Sequence, residues 1–512
     1  MSPGMRPSGQ GKAVNRIAFG LVLAVLVYRA FLFAAAGLAA IRYPWELDYG
    51  EGIVWQQMRW IFTGKAYGPI DQFPAIVFHY PPLYHAVTAI SAGALGTDEL
   101  ATGRAVSLLS TVAAAVASSI LVAFLLKERA SREARRLCAC VAGLLAFTYL
   151  PVVDWAPLMR VDMLAVALSL FGLVAVFKSL ERPGHIWLAS LLFVAAVYTK
   201  QTAIGAPAAA FAVLLGLRPK LAIRGIIACL VIGITALVTI GWLTDGGFYR
   251  HIFLYNVNRP DLSRLSWIVY AAEAQAAYVV LAALVLARRL AELRSTYRGK
   301  ASARAAMGEN VADLRLLIAA SYLLVSTLML VLVAKSGSSI NYFIEWFFAL
   351  GLFAAMAPGE ALRVAHDRPE LRRVLPAGVC VALAIGAAFA PLPRSDFGAN
   401  SPRARELAKL SREVASATKP VISDDMVLLI RSGKDVMWEP AIFAELASTG
   451  DWDERPFVER IRKDEFAFFI TWGDRGFRRF DERYNPAVAA AMDSAYPVKE
   501  KIAGLTIHRP RP

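Results

Sequence analysis

The chain has 512 residues, of which 57% are hydrophobic and only 19% are charged, and its mean hydropathy is +0.48. Soluble domains are about one quarter charged, so the composition excludes an ordinary soluble enzyme and favours a polytopic helical membrane protein. The net charge of +15 does not indicate a nucleic-acid partner, because the basic residues lie mostly in short loops between apolar runs, where they orient helices. The four cysteines lie in apolar runs and predict neither disulfides nor a zinc site.

The first apolar run, residues 17–41, is too long for the core of a signal peptide and predicts a retained transmembrane helix. The short tail before it, residues 1–16, carries Arg6, Lys12 and Arg16. This positive charge predicts that the N-terminus is cytoplasmic. The loop that follows, residues 42–104, therefore faces the outside.

This first outer loop holds the most distinctive motif of the chain, the segment from Tyr43 to Trp55, with three carboxylates among aromatic residues and glycines. Asp48 and Glu51 are three residues apart, so a helical turn would place them on one face. The alternative is that these acids only keep the loop solvated. A second motif, His79-Tyr-Pro-Pro-Leu-Tyr-His85, leads into the apolar run 82–96. That run of about 15 residues is short for a span and predicts an interfacial helix.

A parity argument supports the interfacial assignment. If residues 82–96 crossed the membrane, the dense basic loop 127–136 would lie outside, against the positive-inside bias. With that run in the interface, the basic loops 288–315 and 363–373 also face the cytoplasm, and about 11 transmembrane helices result. The predicted spans are 17–41, 105–126, 137–153, 163–180, 186–198, 203–217, 221–243, 267–287, 314–334, 343–357 and 374–390.

An odd number of crossings places the C-terminal segment outside as well. Its short apolar and aromatic runs predict buried strands at 420–423 and 466–472, and residues 403–418 suit an amphipathic helix. The predicted fold class is therefore an all-α polytopic membrane protein with a small extracytoplasmic α/β domain. The predicted organisation is a cytoplasmic tail, a transmembrane domain and the α/β domain, in that order: 1–16, 17–392 and 393–512.

Ionisable and polar residues at the predicted outer ends of later helices are the second group of candidates, because such groups at membrane depth usually line a polar cavity. Carboxylates that face cations suit a reaction in which a carboxylate takes a proton from a hydroxyl nucleophile while cations hold a phosphate leaving group. The alternatives are interfacial ion pairs, snorkelling lysines, solvated loop charges and helix caps. The candidates are Arg160, Asp162, Lys200, Gln201, Arg250, His251, Arg259, Asn341, Tyr342 and Glu345.

Familiar nucleotide and metal motifs are absent from the sequence. It has no Walker-type loop, no Rossmann glycine run and no HExxH segment. His79 and His85 are six positions apart around Pro-Pro, which is a poor spacing for metal ligands, and Ser423-Asp-Asp425 is a single short acidic triplet. The metal is therefore unknown, a divalent cation is possible, and no other cofactor is predicted.

The order of these features resembles the glycosyltransferase C superfamily, polytopic enzymes that use polyprenyl-phosphate sugars as donors. It includes the lipid A aminoarabinose transferase, the protein O-mannosyltransferases and rhizobial lipopolysaccharide transferases. The resemblance covers residues 17–357, and its most specific parts are Asp48-Tyr-Gly-Glu-Gly52 and Tyr80-Pro-Pro-Leu-Tyr84. In that fold the first outer loop carries interfacial helices, in agreement with the parity argument.

The resemblance implies that an acid of this loop is the general base that activates the acceptor. Many relatives have adjacent Asp and Glu, whereas here two residues separate them; Asp48 is favoured as the base, with Glu51 binding the acceptor or a cation. The donor phosphate would be bound by Lys200 first, and by Arg160 or Arg259 next. The remaining substrate-binding candidates are Tyr80, Tyr84, His85, Asp162, Gln201, Asn341, Tyr342 and Glu345.

The implied function is transfer of one sugar, with inversion, from a polyprenyl phosphate to a lipid, glycan or protein acceptor at the outer face of a bacterial inner membrane. Membrane lipids would be the other partners, and the C-terminal domain would hold the acceptor or a partner. Two alternatives stay open. A glycan polymerase or ligase using a lipid-linked oligosaccharide would depend on a large later outer loop with Arg and His; the richest loop here is the first, and Arg250 and His251 keep this alternative open. A transporter or flippase of lipid-linked sugars is disfavoured because neither repeat symmetry nor midplane charge is clear.

Overall fold

The computed structural model describes residues 9–300, 302–372, 374–394 and 397–511. Arg6 and Arg373, which belong to predicted cytoplasmic segments, lie outside the described residues, as does the side chain of Lys12. The helices up to residue 388 are α1 (Gly9–Arg42), α2 (Gly50–Trp60), α3 (Leu83–Leu95), α4 (Glu99–Leu125), α5 (Arg132–Leu145), α6 (Leu150–Trp155), α7 (Asp162–Ser179), α8 (His185–Thr199), α9 (Gly205–Leu217), α10 (Pro219–Leu243), α11 (Gly247–Tyr249), α12 (Ser266–Ala274), α13 (Ala276–Tyr297), α14 (Ala303–Glu309), α15 (Val311–Met329), α16 (Ile344–Asp367) and α17 (Leu375–Ala388).

These helices form the apolar bundle of a multi-pass membrane protein. Among the described residues, six helices are long and apolar enough to cross a membrane, namely α1, α4, α7, α10, α15 and α16, and α12 with α13 forms a bent seventh candidate. The shorter apolar helices α8, α9 and α17 coincide with three further predicted spans, and α3 coincides with the predicted interfacial helix. Length and composition thus support many of the predicted spans, and the total of about 11 stays a prediction.

Two predicted spans are interrupted, and the interruptions contact each other. The span 137–153 breaks after α5, and the span 267–287 bends by 83° between α12 and α13, at Gln275. The Gln275 amide donates to the Thr148 carbonyl at 2.6 Å and accepts the Leu150 N–H at 3.1 Å. Backbone groups freed inside an apolar bundle need such partners, so one side chain stabilises both breaks.

The C-terminal region combines short helices with a four-stranded sheet. The parallel pair β1–β2 lies at one side, and β4 pairs antiparallel with both β2 and β3, giving the order β1-β2-β4-β3. The predicted strands near 420–423 and 466–472 correspond to β1 and β2. The elements are α18 (Pro402–Ser416), β1 (Ile422–Ser423), α19 (Met426–Arg431), α20 (Pro440–Thr449), α21 (Arg455–Arg462), β2 (Phe469–Thr471), α22 (Arg478–Asp481), α23 (Pro486–Ala495), β3 (Val498–Ile502) and β4 (Leu505–Arg509).

The first loop is held between the bundle and the C-terminal region. Helix α2 is almost entirely buried and packs against α19. A Cβ atom at Gly52 would overlap Met426 and the backbone nitrogen of Val427, so glycine is needed for this close approach of two helices. The loop motif is thereby fixed in the interior of the protein.

Candidate active site

Glu51 lies in the first turn of α2 and is fully buried. It accepts two hydrogen bonds from Arg104, at 2.8 and 2.7 Å, and two backbone N–H bonds, from Leu47 at 2.8 Å and Met159 at 2.9 Å. A carboxylate has about four acceptor sites, so all of them are used. The other N–H groups of Arg104 donate to the carbonyls of Ala40, Tyr43 and Trp45.

Asp48 has a different environment, although it is only three residues away. Its side chain is 30% exposed and forms an ion pair with Arg160, and it accepts the Gly50 N–H at 3.2 Å. Burial acts to raise the pKa of Asp48, but the charge and hydrogen bond of Arg160 outweigh it, and the pKa lies below its ordinary value. Asp48 is therefore ionised at neutral pH.

Arg160 is placed by the turn that precedes α7. Its guanidinium lies 5.0 Å from the centroid of the Trp155 ring, a cation–π distance. A Cβ atom at Gly50 would overlap this guanidinium, so the glycine of the loop motif makes room for the arginine. The Nε atom of Arg160 is buried and has no hydrogen-bond partner, which leaves one donor available.

A second ion pair lies two residues along the chain from Arg160. Asp162 begins α7 and accepts hydrogen bonds from Lys200 at 2.5 Å, Trp155 at 2.7 Å and Asn341 at 2.8 Å. The Lys200 ammonium also lies 5.0 Å from the centroid of the Tyr342 ring. The sequence-predicted residues Asp162, Lys200, Asn341 and Tyr342 are therefore brought together.

These residues surround a small cavity at the ends of α7, α8, α15 and α16. Its volume is about 40 Å³, enough for a few water molecules. Glu345 also lies in its wall, with a buried Oε1 atom that has no hydrogen-bond partner. The unpaired Glu345 oxygen can accept a hydrogen bond from a hydroxyl, whereas Lys200 is the group of the cavity that can attract an anion.

The Pro-Pro motif contributes to the same area. Gln201 donates to the His79 carbonyl at 2.9 Å, and its Oε1 atom is buried without a partner. Burial raises the pKa of Tyr80 to about 12, and the charges of Asp162, Arg160 and Lys200 act on its hydroxyl. The Tyr80 hydroxyl is therefore within electrostatic range of both ion pairs.

Three predicted site residues have other surroundings. The Tyr84 hydroxyl is buried and donates to the Gly103 carbonyl at 2.8 Å, and the His85 ring lies 3.0 Å from the Gln57 side chain. Both residues therefore pack α3 against its neighbours. The Arg259 side chain is 54% exposed and pairs with Glu445 of the C-terminal region at 3.5 Å.

Contacts from the C-terminal region to the loop motif were not predicted from the sequence. The Tyr49 hydroxyl donates to Glu439 at 2.6 Å. The guanidinium of Arg483 lies 3.7 Å from the Tyr49 ring centroid and pairs with Asp424 at 3.1 Å. The acidic triplet that includes Asp424 was the one available signal, but its partner Arg483 is about 60 positions further on, and the sequence gives no sign that this arginine contacts Tyr49.

Two carboxyl groups meet α19 at this junction. Glu46 accepts the Met426 N–H at 3.1 Å, and Asp425 accepts the Leu428 N–H at 2.9 Å. Glu46 Oε1 and Asp425 Oδ2 are buried without partners. Burial raises the pKa of Asp425 to about 6, and it raises the pKa of Glu46 well above the ordinary value, with the charge of Asp425 adding to the effect.

A divalent cation does not fit the residues of this site. Within the described parts of the chain, no three His, Cys, Asp or Glu side chains are grouped so that they could hold a metal ion. In the loop motif, Glu51 is saturated by four donors and Asp48 is paired with Arg160. Glu51 therefore offers no coordination site, and Asp48 keeps only its Oδ1 atom outside these bonds; a single carboxylate oxygen beside a guanidinium does not make a divalent-cation site.

No protein-family model and no curated protein matches the chain, but solved structures do. ArnT from Cupriavidus metallidurans bound to undecaprenyl phosphate aligns with a TM-score of 0.57 and 14% identity, over 96% of this chain and 98% of that chain. The apo state of the same protein aligns with a TM-score of 0.53 and 15% identity, over 96% and 98% of the two chains.

The archaeal oligosaccharyltransferase AglB from Archaeoglobus fulgidus, in complex with an inhibitory peptide and a dolichol-phosphate, aligns with a TM-score of 0.50 and 10% identity. The alignment covers 92% of this chain and 72% of that chain. At such identities the likeness concerns the fold. The bundle, the helical first loop and the C-terminal region together share the fold of these ArnT and AglB structures, a fold of the kind that the sequence resemblance predicted.

Proposed function

We propose that this chain is an integral membrane glycosyltransferase that moves a sugar from a polyprenyl-phosphate donor to an acceptor. The observation that carries the proposal is the adjacency of two carboxylate–cation pairs, Asp48–Arg160 and Asp162–Lys200. Support comes from the fold, which is shared with an ArnT structure bound to undecaprenyl phosphate and an AglB structure that holds a dolichol-phosphate.

We assign the general base to Asp48. Its carboxylate is ionised and 30% exposed, so an acceptor hydroxyl can reach it. Glu51 cannot act in this way, because four hydrogen bonds occupy its oxygens and it has no exposed surface. The role of Glu51 is to tie the loop to α4 through Arg104, and no acceptor or cation is bound by it.

Lys200 and Arg160 are proposed to bind the donor phosphate. Both are cations at the end of the bundle where the first loop lies, and the unpartnered Nε of Arg160 can donate to a phosphate oxygen. A phosphate that attracts Arg160 would weaken its pair with Asp48. The pKa of Asp48 would then rise toward its ordinary value, so donor binding would make this carboxylate a stronger base.

The transfer step follows from these positions. Asp48 takes the proton of the acceptor hydroxyl as its oxygen bonds to the anomeric carbon of the donor sugar. The bond between that carbon and the phosphate oxygen breaks, and the electron pair leaves with the polyprenyl phosphate, whose charge Lys200 and Arg160 stabilise. Attack from the side opposite to the leaving group inverts the anomeric centre.

We further propose that the chain crosses a bacterial inner membrane 11 times, with a cytoplasmic N-terminus and the candidate site outside. The proposed domains are 1–16, 17–392 and 393–512. The C-terminal domain contacts the loop motif through Tyr49 and Glu46, which favours a role in holding the loop and the acceptor. The acceptor is a lipid, a glycan or a protein.

The polymerase or ligase alternative loses one of its supports. His251 accepts the Phe78 N–H at 3.0 Å and lies 2.7 Å from the Gly68 carbonyl, so both ring nitrogens are engaged with the first loop. A buried histidine with two backbone partners fixes a loop. His251 is therefore assigned to structure, and transfer of a sugar is the function that the charged pairs support best.

The test is transfer of radiolabelled sugar from extracted polyprenyl-phosphate donors into membrane glycoconjugates. Asp48→Asn keeps the size of the side chain but removes the base, and we expect a loss of about 10²–10⁴-fold. Asp71→Asn is the matched control, because Asp71 is an exposed acid of the same loop, and its transfer should equal that of the wild type.

Normal transfer by a correctly inserted Asp48→Asn variant would remove Asp48 as the base. If the wild type transfers no sugar from any such donor but moves the lipid-linked sugar across vesicle membranes, the transporter alternative replaces the glycosyltransferase proposal.

A further inference from the structure

The end of the bundle opposite to the candidate site carries a second concentration of buried charge. Helix α7 begins at Asp162 in the candidate site and ends close to Glu181, and α16 begins near Glu345 and carries Glu360 toward its other end. At this opposite end, α13, α15, α16 and the loop after α4 meet, and nothing in the proposed transfer uses the residues found there.

Six basic side chains and four carboxylates form three neighbouring groups of ion pairs among the described residues. We name the basic members the arginine cluster. Since cations outnumber carboxylates, the carboxylates do not neutralise the set. The arginine cluster is Lys127, Arg129, Arg288, Arg289, Arg315 and Arg363, and the carboxylates are Glu181, Glu292, Asp313 and Glu360.

Buried donors of the arginine cluster lack acceptors. Arg289 is 2% exposed and pairs with Glu292 and Glu360, yet its Nε atom has no partner. Arg129 pairs with Asp313 but has an unpartnered Nη1 atom. A buried donor without an acceptor costs about 1–3 kcal/mol, and more when it is charged, so these atoms indicate a missing acceptor.

Arg315 shows the same imbalance. It is fully buried and donates through Nη2 to Glu181 at 2.8 Å, whereas its Nε and Nη1 atoms have no hydrogen-bond partner. Its guanidinium lies 4.6 Å from the centroid of the Phe124 ring. The ring covers one face of the guanidinium, but it provides no acceptor for the N–H groups in the guanidinium plane. In total, five guanidinium nitrogens on four arginines of the cluster are buried and lack a hydrogen-bond partner, and Arg288 Nε is the fifth.

The charges also repel each other. The guanidinium groups of Arg363 and Arg129 both act unfavourably on Arg289. An anion bound among these arginines would offset this repulsion and would also accept hydrogen bonds from the unpartnered N–H groups. A phosphate group suits the task, because its several oxygens match the fork of an arginine and carry negative charge.

We propose that the arginine cluster binds the phosphate of an anionic phospholipid from the leaflet opposite to the candidate site. The cluster lies at an end of an apolar bundle, at the level where lipid headgroups meet helix ends, and basic pockets between helices bind such headgroups. The side chains of Arg129, Arg288 and Arg363 are 14%, 37% and 33% exposed, so a headgroup can enter from the rim.

The experiment measures the melting temperature of the purified full-length protein in detergent with added lipid. Short-chain phosphatidylglycerol is compared with phosphatidylcholine of the same chain length, and with inorganic phosphate. We expect the melting temperature to rise to a plateau as phosphatidylglycerol is added. Phosphatidylcholine and inorganic phosphate should not produce this rise. Arg129→Gln should weaken the apparent affinity for phosphatidylglycerol about fivefold, since one basic residue near a lipid surface contributes about a fivefold factor.

Arg298→Gln is the matched control, because Arg298 is an exposed arginine at the end of α13 and the substitution changes the charge equally. Its affinity for phosphatidylglycerol should equal that of the wild type. Equal stabilisation by phosphatidylcholine, an equal loss in both variants, or full stabilisation by inorganic phosphate would each overturn the lipid site. If Arg129→Gln does not fold, Arg363→Gln at the rim replaces it in the same comparison.

Discussion

Two ion pairs fix the first loop to different helices, and they differ in how completely they are closed. The Glu51–Arg104 pair is 0% exposed on both sides, whereas in the Asp48–Arg160 pair the side chains are 30% and 13% exposed. Glu51 accepts four hydrogen bonds, and Arg160 keeps a donor free. One short motif therefore supplies a structural carboxylate and a chemically available one, and burial distinguishes them.

The largest effect is expected from Glu51→Gln. The amide would direct N–H groups toward Arg104, which also has only N–H groups, and would leave the Arg104 charge unpaired in a fully buried site. Breaking a buried pair in this way costs about 3–5 kcal/mol. We expect a marked loss of folded, monodisperse protein and a lower melting temperature, measured by size-exclusion chromatography after heating.

The comparison partner is Asp48→Asn, which should fold like the wild type and lose transfer only, because its pair with Arg160 is partly exposed. Equal melting temperatures of Glu51→Gln and Asp48→Asn would contradict the proposed difference between the buried Glu51–Arg104 pair and the partly exposed Asp48–Arg160 pair.

A smaller effect, confined to activity, is expected from Gly50→Ala. The added methyl group would overlap the Arg160 guanidinium and move it away from Asp48 and the phosphate position. A displacement of about 1 Å can cost about 10²-fold in rate, so kcat/KM for sugar transfer should fall by that factor while the protein still folds. Gly93→Ala is the control, since no atom lies within 4 Å of the added Cβ; a similar loss there would contradict the argument.

Local sequence patterns predicted the helices and made the loop motif a candidate site, because apolar length and motif composition are visible in one segment. These patterns did not predict which of the two acids, Asp48 or Glu51, is fully buried and saturated with hydrogen bonds. Arg104, which saturates Glu51, lies next to the predicted span 105–126 and carries no local sign of this role. The contrast between Asp48 and Glu51 depends on partners about 50 and 110 positions away, which only the tertiary fold brings together.

The same limit applies to the glycines and to the helix breaks. The motif made Gly50 and Gly52 conspicuous in the sequence. Glycine is required at these positions because a Cβ atom would overlap Arg160 at Gly50 and Met426 at Gly52. The predicted span 267–287 is apolar apart from Glu273 and Gln275. It bends at Gln275, whose side chain also satisfies a second break on another helix. Neither contact leaves a periodic signal in the sequence.

The smallest expected effect tests whether the junction with the C-terminal region senses pH. Asp425 is buried, and its pKa is raised to about 6 from an ordinary value near 4. The folded state therefore holds the proton more tightly than the unfolded state does. Stability should rise as the pH falls through about 6, and the gain should be complete near the unfolded pKa of about 4. Glu46 is shifted in the same direction.

We expect the melting temperature to increase by about 1–3 °C between pH 7.5 and pH 5. Asp425→Asn should flatten this dependence, because an amide does not ionise but still accepts the Leu428 N–H that begins α19. Asp453→Asn is the control: Asp453 is an exposed acid of the same region, and its pKa is lowered by Arg455. An unchanged slope in Asp425→Asn would assign the pH response to Glu46, the other carboxyl group of the junction, or to the bundle, and would remove Asp425 as the group that senses pH.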